Sequence, residues 1–367
     1  MVWLLYIIGF VSSCLIALLL TPLVKKLAFW IGATDQPDAR KVHTKIMPRL
    51  GGLAIFLAFV GAYFIVSPIL NDYNYNAALG ILLGSTVIVL TGALDDRFQI
   101  RPRYKLLGQL VAAGIVVAFG MRIDLGSLPF VGDLLVGAEW VSIPVTILWL
   151  VGVSNALNLI DGLDGLSAGV SGIATLTIFV LSLIVPSLTV SLLSIILLGG
   201  IVGFLFYNFH PAKIFMGDTG SLFLGFALAA LSILGFKQAT VVSLLIPILI
   251  LGVPLSDTAL AILRRLVNKK PISAPDKSHL HHCLLQLGFS HRVTVLIIYG
   301  IALIFSGSAV ACTILLTRET TWAVFLIIGI LLLLLAIGAE FIGIISKRRR
   351  PILSFIQKIG QLVTKSN

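Results

Sequence analysis

Apolar residues fall in long runs broken by short polar segments, and these runs lie near 2–24, 50–70, 77–94, 104–121, 140–157, 167–186, 188–207, 220–236, 239–262, 293–316 and 321–345. Each approaches or exceeds the roughly 18 apolar residues that carry a helix across a bilayer. The pattern predicts an all-α polytopic membrane protein of about eleven transmembrane helices, forming one domain over 1–367 with a basic tail at 346–367. The first run exceeds the roughly 7–15 residues of a signal-peptide core and is followed by Lys25 and Lys26, so it reads as a retained span.

Composition agrees: 58% hydrophobic and 11% charged residues exclude a soluble globular surface. Charge then gives orientation, because short basic loops stay cytoplasmic. Of the 26 Lys and Arg residues, 23 fall in the loops 25–49, 95–105, 208–219 and 263–292 and the tail, leaving Arg122, Lys237 and Arg318 for the other side. The N-terminus is expected outside and the C-terminus in the cytoplasm, in a multi-pass cell-membrane protein. This distribution also accounts for the net charge of +11 without nucleic acid as a partner, since no RNA- or DNA-binding motif accompanies it. Lys347 to Arg350 read as an anchor to anionic lipid of the bilayer. Cys14 and Cys312 lie within runs and Cys283 in a loop, without metal-type spacing, and no disulfide is expected.

Three acidic clusters stand where apolar runs end, all on the side expected to be cytoplasmic. Polar groups at a membrane edge are costly unless they are used. Asp95 and Asp96 are followed by Arg97, Arg101, Arg103 and Lys105, which suits either a solvated loop end or an anion-attracting patch. Asn155 and Asn158 share one side of a helix end, and Asp161 and Asp164 repeat that spacing in a Gly-rich turn. Phe215 to Ser221 opens a span, so Asp218 would be an N-cap or would sit beside the backbone N–H groups of a helix start. His279, His281 and His282 suit zinc, a solvated loop or a phosphate site. The neighbouring Arg264, Arg265, Lys269, Lys270 and Lys277 weigh toward the anion. Carboxylates able to hold Mg²⁺ beside a basic phosphate cradle are the components of phosphoryl transfer.

These segments, taken in order, resemble the polyprenyl-phosphate N-acetylhexosamine-1-phosphate transferases, a family that includes the phospho-MurNAc-pentapeptide translocases. The resemblance is carried by Arg40 to His43 with Pro48 to Gly52, Asp95 and Asp96 with Lys105 to Gln109, Asn155 to Leu166, Tyr207 and Asn208 with Phe215 to Ser221, and His279 to His282. It implies attack of undecaprenyl phosphate on the β-phosphorus of a UDP-N-acetylhexosamine, releasing UMP and forming the first lipid-linked intermediate of a cell-envelope polysaccharide. By the same resemblance Asn158 and Asp218 hold Mg²⁺, with Mn²⁺ as a substitute. Asp95 is the base for the lipid phosphate with Asp96 beside it, and Asp161 organises the site. Asp164 and Phe215 contact uracil with Asn208 nearby, while Lys105, His279, His281 and His282 hold phosphates or the sugar. A covalent Asp intermediate and a homodimer are both compatible with it. Leu280 interrupts the three consecutive histidines usual in the pentapeptide branch, which points to UDP-GlcNAc as donor and leaves the translocase as the alternative. Arg97, Phe98 and Gln99 depart from the Lys or Asn that other branches carry.

Two other classes fit the residues less well. A cation-coupled transporter would place its acids near the bilayer midplane, whereas here even Asp257 and Glu340 lie near span ends. An intramembrane aspartyl protease would want Gly where Phe215 stands.

Overall fold

The first apolar run forms α1 (Val2–Ile31), which continues past Lys25 and Lys26. Lysine is a good helix former and can lift its ammonium to the membrane surface from such a position. The computed structural model describes residues 2–36, 46–69, 74–125, 139–235, 245–271 and 279–342. Arg40 to His43, Asp276, Lys277 and the basic tail lie outside the described residues.

After α1 come α2 (Gly51–Val66), α3 (Tyr75–Phe98), α4 (Pro102–Ala118), α5 (Glu139–Ile160), α6 (Leu166–Ile184), α7 (Leu188–Asn208) and α8 (Gly217–Gly235). The chain continues through α9 (Leu245–Ile250), α10 (Gly252–Val267), α11 (Leu280–Gln286), α12 (His291–Thr317) and α13 (Thr321–Ile342). Among the described residues nine of these, α1, α2 with the 3-10 turn Ser67–Ile69 that extends it, α3, α5 to α8, α12 and α13, are long and apolar enough to cross a membrane. The two other expected spans differ from the simple reading. The run at 104–121 becomes the 17-residue α4. Within 239–262, the described part is two helices parted at Leu251, each carrying a proline, Pro247 and Pro254, that cannot donate to a helical ladder. A departure from pure helix also appears at β1 (Thr34–Asp35) and β2 (Met47–Pro48), an antiparallel pair that apolar periodicity gave no reason to expect.

Packing is organised around α8, whose most apolar window is 94% buried and which therefore needs no polar face. Helices α3, α5, α2 and α6 surround it, while α1 packs on α7 and α2, and α12 packs on α6. Close approach to α8 is possible because Gly52 of α2 faces Gly220, where a Cβ would collide with backbone. The ends of α1, α3, α5 and α7 and the starts of α2, α4, α6, α8 and α12 meet at one end of the bundle. Trp3, Trp140 and Trp322, at the starts of α1, α5 and α13, are exposed, as aromatic residues at a membrane interface are.

Candidate active site

The polar end of the bundle is assembled by backbone before any side chain meets. Phe215 N–H donates to the Pro48 carbonyl (2.9 Å), Gly51 N–H to the Phe215 carbonyl (3.0 Å) and Gly52 N–H to the Met216 carbonyl (2.9 Å). This lacing fixes Arg49 beside three carboxylates: its guanidinium lies 3.5 Å from Asp35, 3.8 Å from Asp96 and 3.8 Å from Asp218. Burial opposes its charge, but Asp96, Asp35, Asp218 and Asp161 outweigh that and raise its pKa above the ordinary value. Arg49 belongs to the segment Pro48 to Gly52, yet spacing alone gave no sign that it would be shared by three acids.

Asn158 and Asp218, expected together, are together. Asn158 Nδ2 donates to Asp218 Oδ1 (3.1 Å) and to Ser221 Oγ (2.7 Å). Lys105 Nζ donates to Asp218 Oδ2 and to Asn158 Oδ1 (3.3 Å), and lies 3.7 Å from Asp95 Oδ2. Lys105 is thus a second counter-ion of the acidic cluster, beside Arg49. Asn155 does not join it: its amide pairs with Gln109, one turn along α4 from Lys105 (Asn155 Nδ2 to Gln109 Oε1, 2.9 Å).

Adjacent Asp95 and Asp96 differ. Asp95 is half-buried and faces Lys105, whereas the carboxylate of Asp96 is wholly buried and accepts from Asp218 N–H (2.8 Å), Thr219 N–H (3.0 Å) and Thr219 Oγ1 (2.6 Å). A carboxylate there satisfies orphan donors at the start of α8 and complements its dipole. The Asp96 carboxylate is thus engaged by the start of α8, while that of Asp95 is turned to Lys105. Gly217, at φ +71°, makes this possible, since a Cβ would strike the Asp96 carboxylate. Asp161 follows α5 in the turn beside these groups. Burial, and then the charge of Asp218, push its pKa up to about 8.

A second group lines the turn at 161–165. Asp164 Oδ2 accepts from Ala212 N–H (3.1 Å) and pairs with His210 Nδ1 (2.7 Å). The His210 ring stacks on His291 at 4.3 Å between centroids, and neither histidine was singled out in the sequence. Asn208, expected near uracil, is buried and committed to backbone, accepting from Gly165 N–H (3.1 Å) and donating to the Ile214 carbonyl (3.0 Å). It ties two site loops together. Phe215 is partly buried, its backbone holding the Arg49 segment in place.

His279 and His281 are buried, against the solvated-loop alternative. Asp257 pairs through Oδ2 with His279 Nδ1 (2.8 Å), and its Oδ1 accepts from Leu280 N–H (2.8 Å). His281 lies against Gly162, where a Cβ would come within 2.5 Å of its Nε2, and its ring centroid is 4.1 Å from that of His282. Burial, reinforced by His282, lowers the His281 pKa to about 3. With its charge so disfavoured by burial, the ring is here a neutral hydrogen-bonding group. Leu280 faces the other way, into an apolar cavity of about 260 Å³ that Leu260, Phe305 and Leu331 also line.

The donor set at Lys105 is all oxygen, from Asp218, Asn158 and Asp95, and already surrounds an ammonium. That is the chemistry a hard divalent cation requires, so the residues fit Mg²⁺. Asp164, His210 and His291 also bring ligand atoms within 4.8 Å of one another. Their imidazoles are stacked within 23° of parallel, which suits support of Asp164 better than convergence on an ion.

Comparison with known proteins gives a concordant picture. The model of "Glycosyl transferase family 4" matches residues 78–236. A probable undecaprenyl-phosphate N-acetylglucosaminyl 1-phosphate transferase of Bacillus subtilis is 48% identical over 96% of each chain. A decaprenyl-phosphate N-acetylglucosaminephosphotransferase of Mycobacterium tuberculosis is 37% identical over 78% of each. A phospho-N-acetylmuramoyl-pentapeptide-transferase of Halalkalibacterium halodurans is 32% identical over 83% of this chain and 95% of its own.

Proposed function

The chain belongs to the polyprenyl-phosphate N-acetylhexosamine-1-phosphate transferase family, and from that premise we propose that it transfers GlcNAc 1-phosphate from UDP-GlcNAc to undecaprenyl phosphate, releasing UMP. The product is the first lipid-linked intermediate of a cell-envelope polysaccharide. One observation carries the reading: Arg49, Asp95, Lys105, Asn158 and Asp218 come from five separate stretches and meet at one end of the bundle.

In the proposed reaction an oxygen of the lipid phosphate attacks the β-phosphorus of the donor, and the anhydride bond to UMP breaks as the new anhydride forms. One anhydride replaces another, so the protein's task is to align two anions that repel each other. Asp218 and Asn158 would hold Mg²⁺, which when bound screens the negative charge of the donor pyrophosphate. Arg49 and Lys105 add positive charge beside the phosphates. Asp95, the accessible carboxylate of its pair, accepts a proton from the lipid phosphate, while Asp96 holds the start of α8 for Asp218. Asp161 organises the centre. Asp164, steadied by His210, and the ring of Phe215 hold the uracil. His279, set by Asp257, and His281 with His282 hydrogen-bond the phosphates or the sugar.

The proposal extends to eleven spans in a plasma membrane, a site facing the cytoplasm and a homodimer, supported by the charge pattern and the family likeness. GlcNAc is favoured over a MurNAc-pentapeptide because the relative named for the former is the more similar, and because Leu280 breaks the histidine triplet usual in the pentapeptide branch. Purified protein supplied with Mg²⁺, UDP-GlcNAc and undecaprenyl phosphate should release UMP, and a chelator should stop it. Absence of UMP with a range of UDP-sugars would overturn the assignment.

A further inference from the structure

We propose that the Lys105 ammonium is a built-in occupant of the divalent-cation seat: it holds the acidic cluster together in the ligand-free protein and withdraws when the ion and the donor arrive. The inference rests on the reading of Asp218 and Asn158 as ligands of that ion. Lys105 Nζ donates to Asp218 Oδ2 and Asn158 Oδ1 (3.3 Å) and lies 3.7 Å from Asp95 Oδ2, so three oxygens from α8, α5 and α3 surround one ammonium. An ammonium has three protons and no acceptor; Asp218 and Asn158 accept two of the protons, and Asp95 adds its charge at ion-pair distance. A hard cation draws on the same kind of oxygen, and two cations cannot share the seat.

Arg49 is placed differently. Its guanidinium reaches Asp96 and Asp218 only at 3.8 Å and is tethered also to Asp35, so it stays as a counter-charge while Lys105 moves. Lys105 projects from the first turn of α4, and its side chain is 18% exposed, so a rotation about its flexible stem suffices to leave the seat. The pyrophosphate of the donor gives the displaced ammonium a new partner. Cation and donor binding are thereby coupled: the ion alone binds weakly, each strengthens the other, and the gain is reciprocal.

The test is direct binding of Mn²⁺, followed by electron paramagnetic resonance, to purified protein in nanodiscs without nucleotide. Lys105→Met should bind the ion on the order of tenfold more tightly than wild type, or about 1.4 kcal/mol, while Lys105→Arg, which keeps a cation there, should stay close to wild type. Damage to the fold would weaken binding, so a gain cannot come from misfolding. Mn²⁺ should also raise the unfolding midpoint of Lys105→Met more than that of wild type. Equal or weaker binding in Lys105→Met, equal tightening in Lys105→Arg, or equal midpoint shifts would each overturn the inference. Adding Asp218→Asn to Lys105→Met should abolish the tight binding. If it persisted, the ion would lie elsewhere, and the ligand assignment of the preceding section would fall with this inference. Loss of tight binding in the double variant together with equal affinities for wild type and Lys105→Met would remove the inference alone.

Discussion

At the scale of single residues, neighbours of one type acquire different work from what surrounds them. Asp95 faces Lys105 at the accessible edge, and Asp96 is consumed by three donors at the start of α8. Asp95→Asn should therefore lower turnover by about 10²-fold with an unchanged unfolding midpoint. Asp96→Asn turns amide protons toward existing donors and should cost about 1–3 kcal/mol of stability, read as a lower midpoint. His281 gives a pH prediction. Its pKa is lowered to about 3, so the neutral ring is the folded form. Its contribution is whole above the ordinary histidine pKa of about 6.5 and is lost as pH falls from there toward 3. The wild-type midpoint should fall across that window, and His281→Asn should flatten the fall. Residue identity made Asp95, Asp96, Asp218 and the histidines visible in the sequence, but it could not separate a carboxylate that faces a pocket from one that caps a helix.

At the scale of elements, the runs and their ends were legible because hydropathy is a sum over local residues. What hydropathy does not carry is direction. The run at 239–262 looked continuous, yet its described part breaks at Leu251 and leaves α10 as a separate amphipathic helix. From α10, Asp257 reaches a histidine 22 positions away. Asp257→Asn should loosen His279 and raise the KM for the UDP-sugar about tenfold, the scale of a lost buried hydrogen bond to a charged group. A rise in KM with kcat nearly unchanged would identify a positioning role. Helix contact gives a second prediction. Gly52 leaves no space for a Cβ against Gly220, so Gly52→Ala should part α2 from α8 and lower stability by about 1–3 kcal/mol, measured by chemical unfolding in detergent.

At the scale of the whole molecule, the expected asymmetry of charge becomes a polar end of a helical bundle. Single cysteines at Arg103 and at Glu319, placed in a chain freed of Cys14, Cys283 and Cys312, should react with a membrane-impermeant maleimide from opposite sides of sealed vesicles, Arg103→Cys from the cytoplasmic side. Labelling of both from one side would refute the orientation. Composition and periodicity by themselves determined that the chain lives in a bilayer as helices, since the solvent penalty for so much apolar surface is independent of how the helices pack. Residue type and order determined the acids, amides and histidines that stand at the span ends. Only the tertiary structure decided that Arg49 is shared by Asp35, Asp96 and Asp218, that Asn208 braces loops and that Lys105 lies among the oxygens of Asp95, Asn158 and Asp218. Those assignments depend on distances between segments far apart in sequence, and such distances are set by packing around α8, which no local pattern encodes.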